Sequence, residues 1–150
     1  MRRVVIVLAL LIVASVTYGQ FRGYEWGTDR ATVRQDKGEP MKEIDVGLIY
    51  AETVLDSESF VGYTFKNGRL ISGIIRMPDG DEYRVVAALD AKYRSGDYIE
   101  GVIGTWSGNG TEIMMYRENG ELYLNYISTA YIQEQKRKQK AKSQEDADEL

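Results

Sequence analysis

The chain has 150 residues, of which 43% are hydrophobic, 11% aromatic and 28% charged. That profile belongs to a globular protein rather than a disordered one, and the length allows one domain with a sizeable core but not two ordinary ones. It contains no Cys and no His, which excludes disulfides, thiolate nucleophiles, Ser-His-Asp and Cys-His catalysis, the usual zinc sites and haem ligation through His.

Residues 1–19 have the three parts of a secretory signal. Arg2 and Arg3 form a positive start, Val4 to Val13 is an unbroken apolar run, and Ala14 to Gly19 is a short polar segment with small residues. Thr17 and Gly19 suit cleavage after Gly19, with cleavage near Ser15 as the alternative. An uncleaved N-terminal anchor is the competing reading. Ten apolar residues reach only about 15 Å as a helix, and about 20 are needed to cross a bilayer. No Cys follows the run to carry a lipid, so a bacterial lipoprotein is excluded. The expectation is a periplasmic or secreted protein with no stable membrane anchor after cleavage.

The formal net charge is −4, and its distribution is uneven. Between Gln133 and Leu150 the basic residues (Lys136, Arg137, Lys138, Lys140, Lys142) balance the acidic ones (Glu134, Glu145, Asp146, Asp148, Glu149). With Arg2 and Arg3 leaving in the signal, residues 20–132 carry all the excess negative charge. An acidic body is unsuited to nucleic acid, whose affinity comes largely from phosphate neutralisation, and to an anionic membrane surface as main partner. Residues 133–150 have almost no apolar residue to bury and read as a frayed helix passing into disorder. Their basic stretch, docking on an acidic polymer or a lipid headgroup, is the functional alternative.

Between them, residues 20–132 read as one domain. Thr28 or Asp29 caps a short helix to about Lys37, which Gly38-Glu39-Pro40 ends. Strands are expected over about Lys42 to Leu55, Ser59 to Lys66 and Arg69 to Met77. Asn67-Gly68, a strong hairpin signal, joins the last two. From Pro78 the pattern starts again. A helix over about Glu82 to Arg94 places Val85, Val86, Leu89 and Tyr93 on one stripe. Strands then follow at Tyr98 to Trp106, Thr111 to Arg117 and Glu121 to Ser128, with a second Asn-Gly at Asn119-Gly120. The reading is an α+β fold made of a duplicated helix-β-β-β unit, about 21–77 and 78–128. It gives an antiparallel sheet of about six strands with two helices packed on one face. Val61, Tyr63, Phe65, Ile71, Ile75, Met77, Ile113, Met115, Leu122, Leu124 and Tyr126 are one candidate set for the covered face. Phe60, Leu70, Ile74, Met114, Tyr116, Tyr123 and Ile127 lie on the opposite parity, and alternation alone does not choose between the sets.

Phe21 to Val33, reading Phe-Arg-Gly-Tyr-Glu-Trp-Gly-Thr-Asp-Arg-Ala-Thr-Val, has an aromatic and then Trp-Gly-Thr before a short helix, with Gly-x-Pro beyond. This opening is similar to that of the small lipoproteins of the outer-membrane β-barrel assembly machinery (the SmpA/OmlA family). It also resembles the wider fold group of the β-lactamase inhibitor protein. The resemblance implies an envelope protein whose helices pack on an antiparallel sheet and whose work is protein binding. The lipobox Cys has no counterpart here, so lipid anchoring is not implied, and no partner-binding residue is carried over. Trp26, Gly27, Gly38 and Pro40 read as structural.

Without His or Cys, catalysis would fall to carboxylates, Lys, Tyr or Ser. Asp79, Asp81 and Glu82 surround a helix start, where acidic side chains cap amides and favour the dipole. Asp79 to Glu82 lacks the calcium-loop spacing, and Ser107-Gly108-Asn109-Gly110 has no following helix or Lys to hold a phosphate. Lys66 and Lys92 look solvent-facing. No catalytic, metal or cofactor residues are assigned, and the protein reads as a non-enzyme. Tyr dominates the aromatics, with 11 Tyr against 2 Trp and 3 Phe, and Tyr offers contact area with a polar tip. Tyr50, Trp106, Tyr116, Tyr123 and Tyr126 are the candidate binding residues, although Tyr is also an ordinary strand former.

These observations lead to an exported, non-catalytic binding module of the bacterial envelope, taking a protein or peptide on its sheet face or an exposed strand edge. The alternative is a glycan- or small-ligand-handling envelope protein, including a carboxylate-based hydrolase. A third reading is a structural role with the charged tail as tether. Unpaired sheet edges leave self-association open.

Overall fold

A computed structural model describes residues 19–149; the apolar run and the rest of the segment up to Tyr18 lie outside the described residues. The chain enters through a small hairpin, β1 (Gln20–Phe21) and β2 (Tyr24–Glu25), followed by α1 (Arg30–Lys37). Next come β3 (Lys42–Ile44), β4 (Gly47–Val54), β5 (Ser57–Lys66) and β6 (Arg69–Met77), then α2 (Glu82–Lys92). The remaining elements are β7 (Arg94–Ser95), β8 (Gly104–Gly108), β9 (Thr111–Glu118), β10 (Glu121–Ser128) and α3 (Thr129–Asp148). β3 to β10 form one antiparallel sheet of eight strands in the order β3-β4-β5-β6-β10-β9-β8-β7, while β1 and β2 pair separately.

This corrects the expected architecture of a duplicated helix-β-β-β unit with about six strands and two helices. The described residues form an eight-stranded sheet, a further two-stranded sheet and three helices, one of them C-terminal. Local chemistry explains each difference. The run from Lys42 to Leu55 folds back on itself at Asp45-Val46, so Ile44 pairs with Gly47 and one expected strand becomes two. Tyr98 to Ile103 is not a strand; Gly101 sits at φ +81° within it, and the neighbouring strand residues are Arg94–Ser95. β1 and β2 are two residues each, too short to show any periodicity. The charged C-terminal segment continues as helix to Asp148. Its Lys, Gln, Glu and Ala residues are strong helix formers, and Glu134–Lys138 and Gln144–Asp148 make i,i+4 contacts along it.

The expected tight turns and the acidic cap of α2 are present, whereas Asp29, at the start of α1, makes no side-chain capping bond. Asn67-Gly68, Asn109-Gly110 and Asn119-Gly120 all have positive φ at both positions, the geometry of the tight turns that match strand twist. Asp81 caps α2, its carboxylate accepting from the Arg84 N–H at 3.2 Å, and the Ser128 hydroxyl accepts from Tyr131 N–H to start α3.

Pairing settles which face is covered. Val61, Tyr63, Phe65, Ile75, Met77, Ile113, Met115, Leu122 and Leu124 are buried, together with Leu48, Tyr50 and Trp106. Val33 of α1 and Val85 and Leu89 of α2 complete this core. Each such side chain contributes about 1.5–3 kcal/mol by leaving water. A register shift between Thr64 and Phe65 pairs Phe65 with Leu70, so Leu70 is buried and Ile71 only half-buried. A bulge of this kind reverses which parity enters the core. The β1–β2 hairpin lies over the middle of the covered face. Its Phe21 is buried and packs on Trp26, Tyr63 and Tyr126 with ring centroids 6.2, 5.3 and 5.1 Å away.

Candidate binding surface

The opposite face of the sheet carries the remaining parity, and its side chains are half-buried or exposed throughout the paired strands. One row of it is set by register across four neighbouring strands. Phe60 of β5 lies opposite Arg76 of β6, Arg76 opposite Tyr123 of β10, and Tyr123 opposite Tyr116 of β9. The Tyr116 and Tyr123 rings stack with centroids 5.3 Å apart and planes 6° from parallel. The Arg76 guanidinium lies 5.2 Å from the Phe60 ring centre and forms a two-point pair with Glu121, at 2.6 and 2.9 Å. Tyr123 OH in turn donates to Glu121 at 3.3 Å. The row is thus a flat aromatic and cationic platform whose orientation is held by one carboxylate.

The charges of this row are tuned by the same contacts. The hydrogen bonds from Arg76, and then from Tyr123, hold the Glu121 carboxyl below the ordinary Glu range. The Arg76 guanidinium is raised by its bond to Glu121. Desolvation, followed by the bond to Glu121, raises the Tyr123 phenol. The platform therefore keeps the Tyr123 hydroxyl neutral beside one compensated ion pair over the working pH range.

Next to the platform lies a hollow of about 750 Å³, lined among others by Thr64, Ser72, Ile74, Met114, Asn125 and Ile127. Ile99, exposed in the loop before β8, stands at its side. Alternating hydroxyl, amide and aliphatic groups give it both hydrogen-bonding and apolar surface, the composition of a recognition surface rather than of a core.

The sequence candidates separate onto the two faces. Tyr116 and Tyr123 come together on the open face. Tyr50 and Trp106 are 6% and 4% exposed and belong to the core, where Tyr50 OH donates to the Gly38 carbonyl at 3.1 Å and Trp106 Nε1 donates to Asp90 at 2.7 Å. Tyr126 packs on the core from the covered side. Phe60 and Arg76 escaped sequence reasoning; their place beside Tyr123 depends on β6 meeting β10, a pairing of distant segments with no local signal.

The edges of the sheet are unevenly covered. The outer strands β3 and β7 have 3 and 2 residues; β3 pairs only with Gly47 to Ile49, so among the described residues Tyr50 to Val54 of β4 have no strand partner on that side. Among the described residues no helix is long and apolar enough to cross a membrane. No group of three or more His, Cys, Asp or Glu able to hold a metal ion is found among them either.

Comparison with known proteins returns no match of this chain to a family model, to a curated protein or to a solved structure.

Proposed function

We propose that the protein is an exported, non-catalytic binding module of the cell envelope that takes a protein or peptide partner on the open face of its sheet. The observation that carries this reading is the row Phe60–Arg76–Tyr123–Tyr116 beside the hollow. Large aromatics and Arg are the residues on which protein interfaces concentrate their energy, and here they border a hollow. The signal-like start and the opening from Phe21 to Val33, similar to outer-membrane assembly lipoproteins, support an envelope setting.

The test is affinity capture from the protein's own cells, comparing wild type with a Tyr116→Ala/Tyr123→Ala variant. A partner captured by wild type and lost by a folded double variant supports the reading. A capture profile identical for both counts against it.

A glycan is the second reading, favoured by the stacked tyrosines beside Asn125, Ser72 and Thr64, because sugar rings stack on aromatic faces and hydroxyls need such polar neighbours. Titration with cell-wall oligosaccharides, repeated on the same double variant, separates the two ligand classes.

A further inference from the structure

A second concavity lies on the other, helix-covered side of the sheet, between α2 and the β1–β2 hairpin. It is a cleft of about 280 Å³ along the seam where β6 meets β10. Its floor is apolar, made by Phe21, Ile75, Met77 and Leu124 of the core together with Val85 and Leu89 of α2. Its rim is different. Arg22 and Lys92 line it, and so does the phenol-bearing pair Tyr93 and Tyr126.

The charge at this rim is positive. The one carboxylate facing Arg22 is Glu52, 3.7 Å from the Arg22 Nε, and Glu52 is already paired with Lys37 and accepts from Tyr63 OH. Lys92 makes no ion pair among the described residues and rests over the Tyr93 ring at 5.3 Å. The nearest acidic group on the β4–β5 turn, Asp56, is taken by Arg84. The Tyr126 phenol is raised by burial first and by Tyr93 second, and eased by Arg22, so a neutral hydroxyl faces the same space as the cations.

The backbone at the rim is also unusual. Among the described residues six other than Gly have positive φ, and three of them are the Asn of Asn-Gly turns. Arg22 at φ 52° and Leu55 at φ 48° are of types that such turns disfavour, and both line this cleft. Strain held by residues whose side chains border one cavity is the pattern expected where the side chain matters more than the ease of the turn.

We propose that this cleft is a binding site for a single-chain aliphatic carboxylate, with the acyl chain along the seam floor and the carboxylate between Arg22, Lys92 and the Tyr126 hydroxyl. A methylene group takes about the volume of a water, about 30 Å³, so the space suits a chain of roughly 8 to 10 carbons. An apolar floor alone would accept any hydrocarbon; the cationic rim selects the anion. The site is on the face opposite the platform of Tyr116 and Tyr123, so its test stands independently of theirs.

The experiment is calorimetric titration of the purified protein with sodium decanoate below its micellar range, alongside decanol and a decanoyl lysophospholipid. Saturable one-to-one binding of decanoate, tighter than decanol by about tenfold or more, is expected. Ala88→Trp, placed at the exposed rim of the cleft on α2, abolishes it without lowering the melting temperature. Lys92→Gln with Arg22→Asn weakens decanoate by about tenfold and leaves decanol unchanged. Three results overturn the proposal: no saturable binding, binding that Ala88→Trp leaves intact, or decanol binding as tightly as decanoate. Binding of the lysophospholipid without binding of decanoate overturns the carboxylate assignment and points to a lipid headgroup instead.

Discussion

Phe21 packs directly on Gly73, and a Cβ added at Gly73 would lie only 2.1 to 2.3 Å from three atoms of the Phe21 ring. Phe21, the first aromatic of the described chain, is therefore a knob, and the middle of β6 is its hole. Gly is required there for close approach rather than for a special backbone angle, and the void left by its missing side chain is filled by a residue from the very start of the described chain. Gly73→Ala is expected to lower stability by at least about 1–3 kcal/mol through overpacking, and Phe21→Ala by about 3–5 kcal/mol through the cavity it opens. Urea unfolding of both variants checks this. Combining them should cost less than the sum, because Ala at position 73 partly fills the space that Phe21 vacates.

Trp106 and Tyr116 both lie on strands, but they are expected to respond oppositely. Trp106→Ala removes a core side chain and its bond to Asp90, at an expected cost of about 3–5 kcal/mol. Tyr116→Ala loses one stacked neighbour on the open face, an expected cost of about 1 kcal/mol. Thermal melts of the two variants distinguish them, and only the second is suited to binding assays.

Two buried phenols make the protein sensitive to alkali. Burial, followed by the Glu52 charge, raises Tyr63, and burial, followed by Tyr93, raises Tyr126. A phenol raised in the folded state stabilises the fold fully below its unfolded value near pH 10, and this stability is lost as pH rises through that value toward the folded one. The phenolate absorbance at 295 nm, on the order of the usual phenolate band, should therefore show these two tyrosines ionising only with unfolding. Tyr63→Phe should move the alkaline unfolding midpoint upward relative to the loss in neutral-pH stability.

At the acid end the sign is reversed. Glu121 is held low by Arg76 and Tyr123, so the stability it contributes is present above the ordinary Glu range and is lost as pH falls through its folded value. A carboxyl-selective NMR titration should find Glu121 below the ordinary Glu range. Arg76→Met should return it to the ordinary range and loosen the Tyr116–Tyr123 platform.

The parts legible in sequence were those written in adjacent residues. Asn119-Gly120 places Glu118 opposite Glu121, and the same count places Tyr116 opposite Tyr123, so the platform's central pair was recoverable from one turn. Phe60 and Arg76 were not, because they join it only through strands brought together from distant parts of the chain. The turns at Arg22-Gly23 and Asp45-Val46 lack the Asn-Gly signature, which is why β3 and β4 read as one strand and the entry hairpin leaves no sequence signal. Alternation puts Leu70 on the same parity as Ile74 and Phe60, away from Ile75 and Met77, because it knows nothing of the bulge opposite Phe65. Tyr50 and Trp106 illustrate a general limit: composition marks an aromatic strand residue, but only pairing and helix placement decide whether it faces the core.

The most direct test of the binding reading is site-specific photo-crosslinking in the protein's own cells. A photoreactive residue at Asn125 or Met114 of the open face is compared with one at Tyr83, which is 88% exposed on α2. The account predicts that Asn125 and Met114 capture a common protein partner and Tyr83 does not. Capture from Tyr83 alone, or none from the open face, would contradict it.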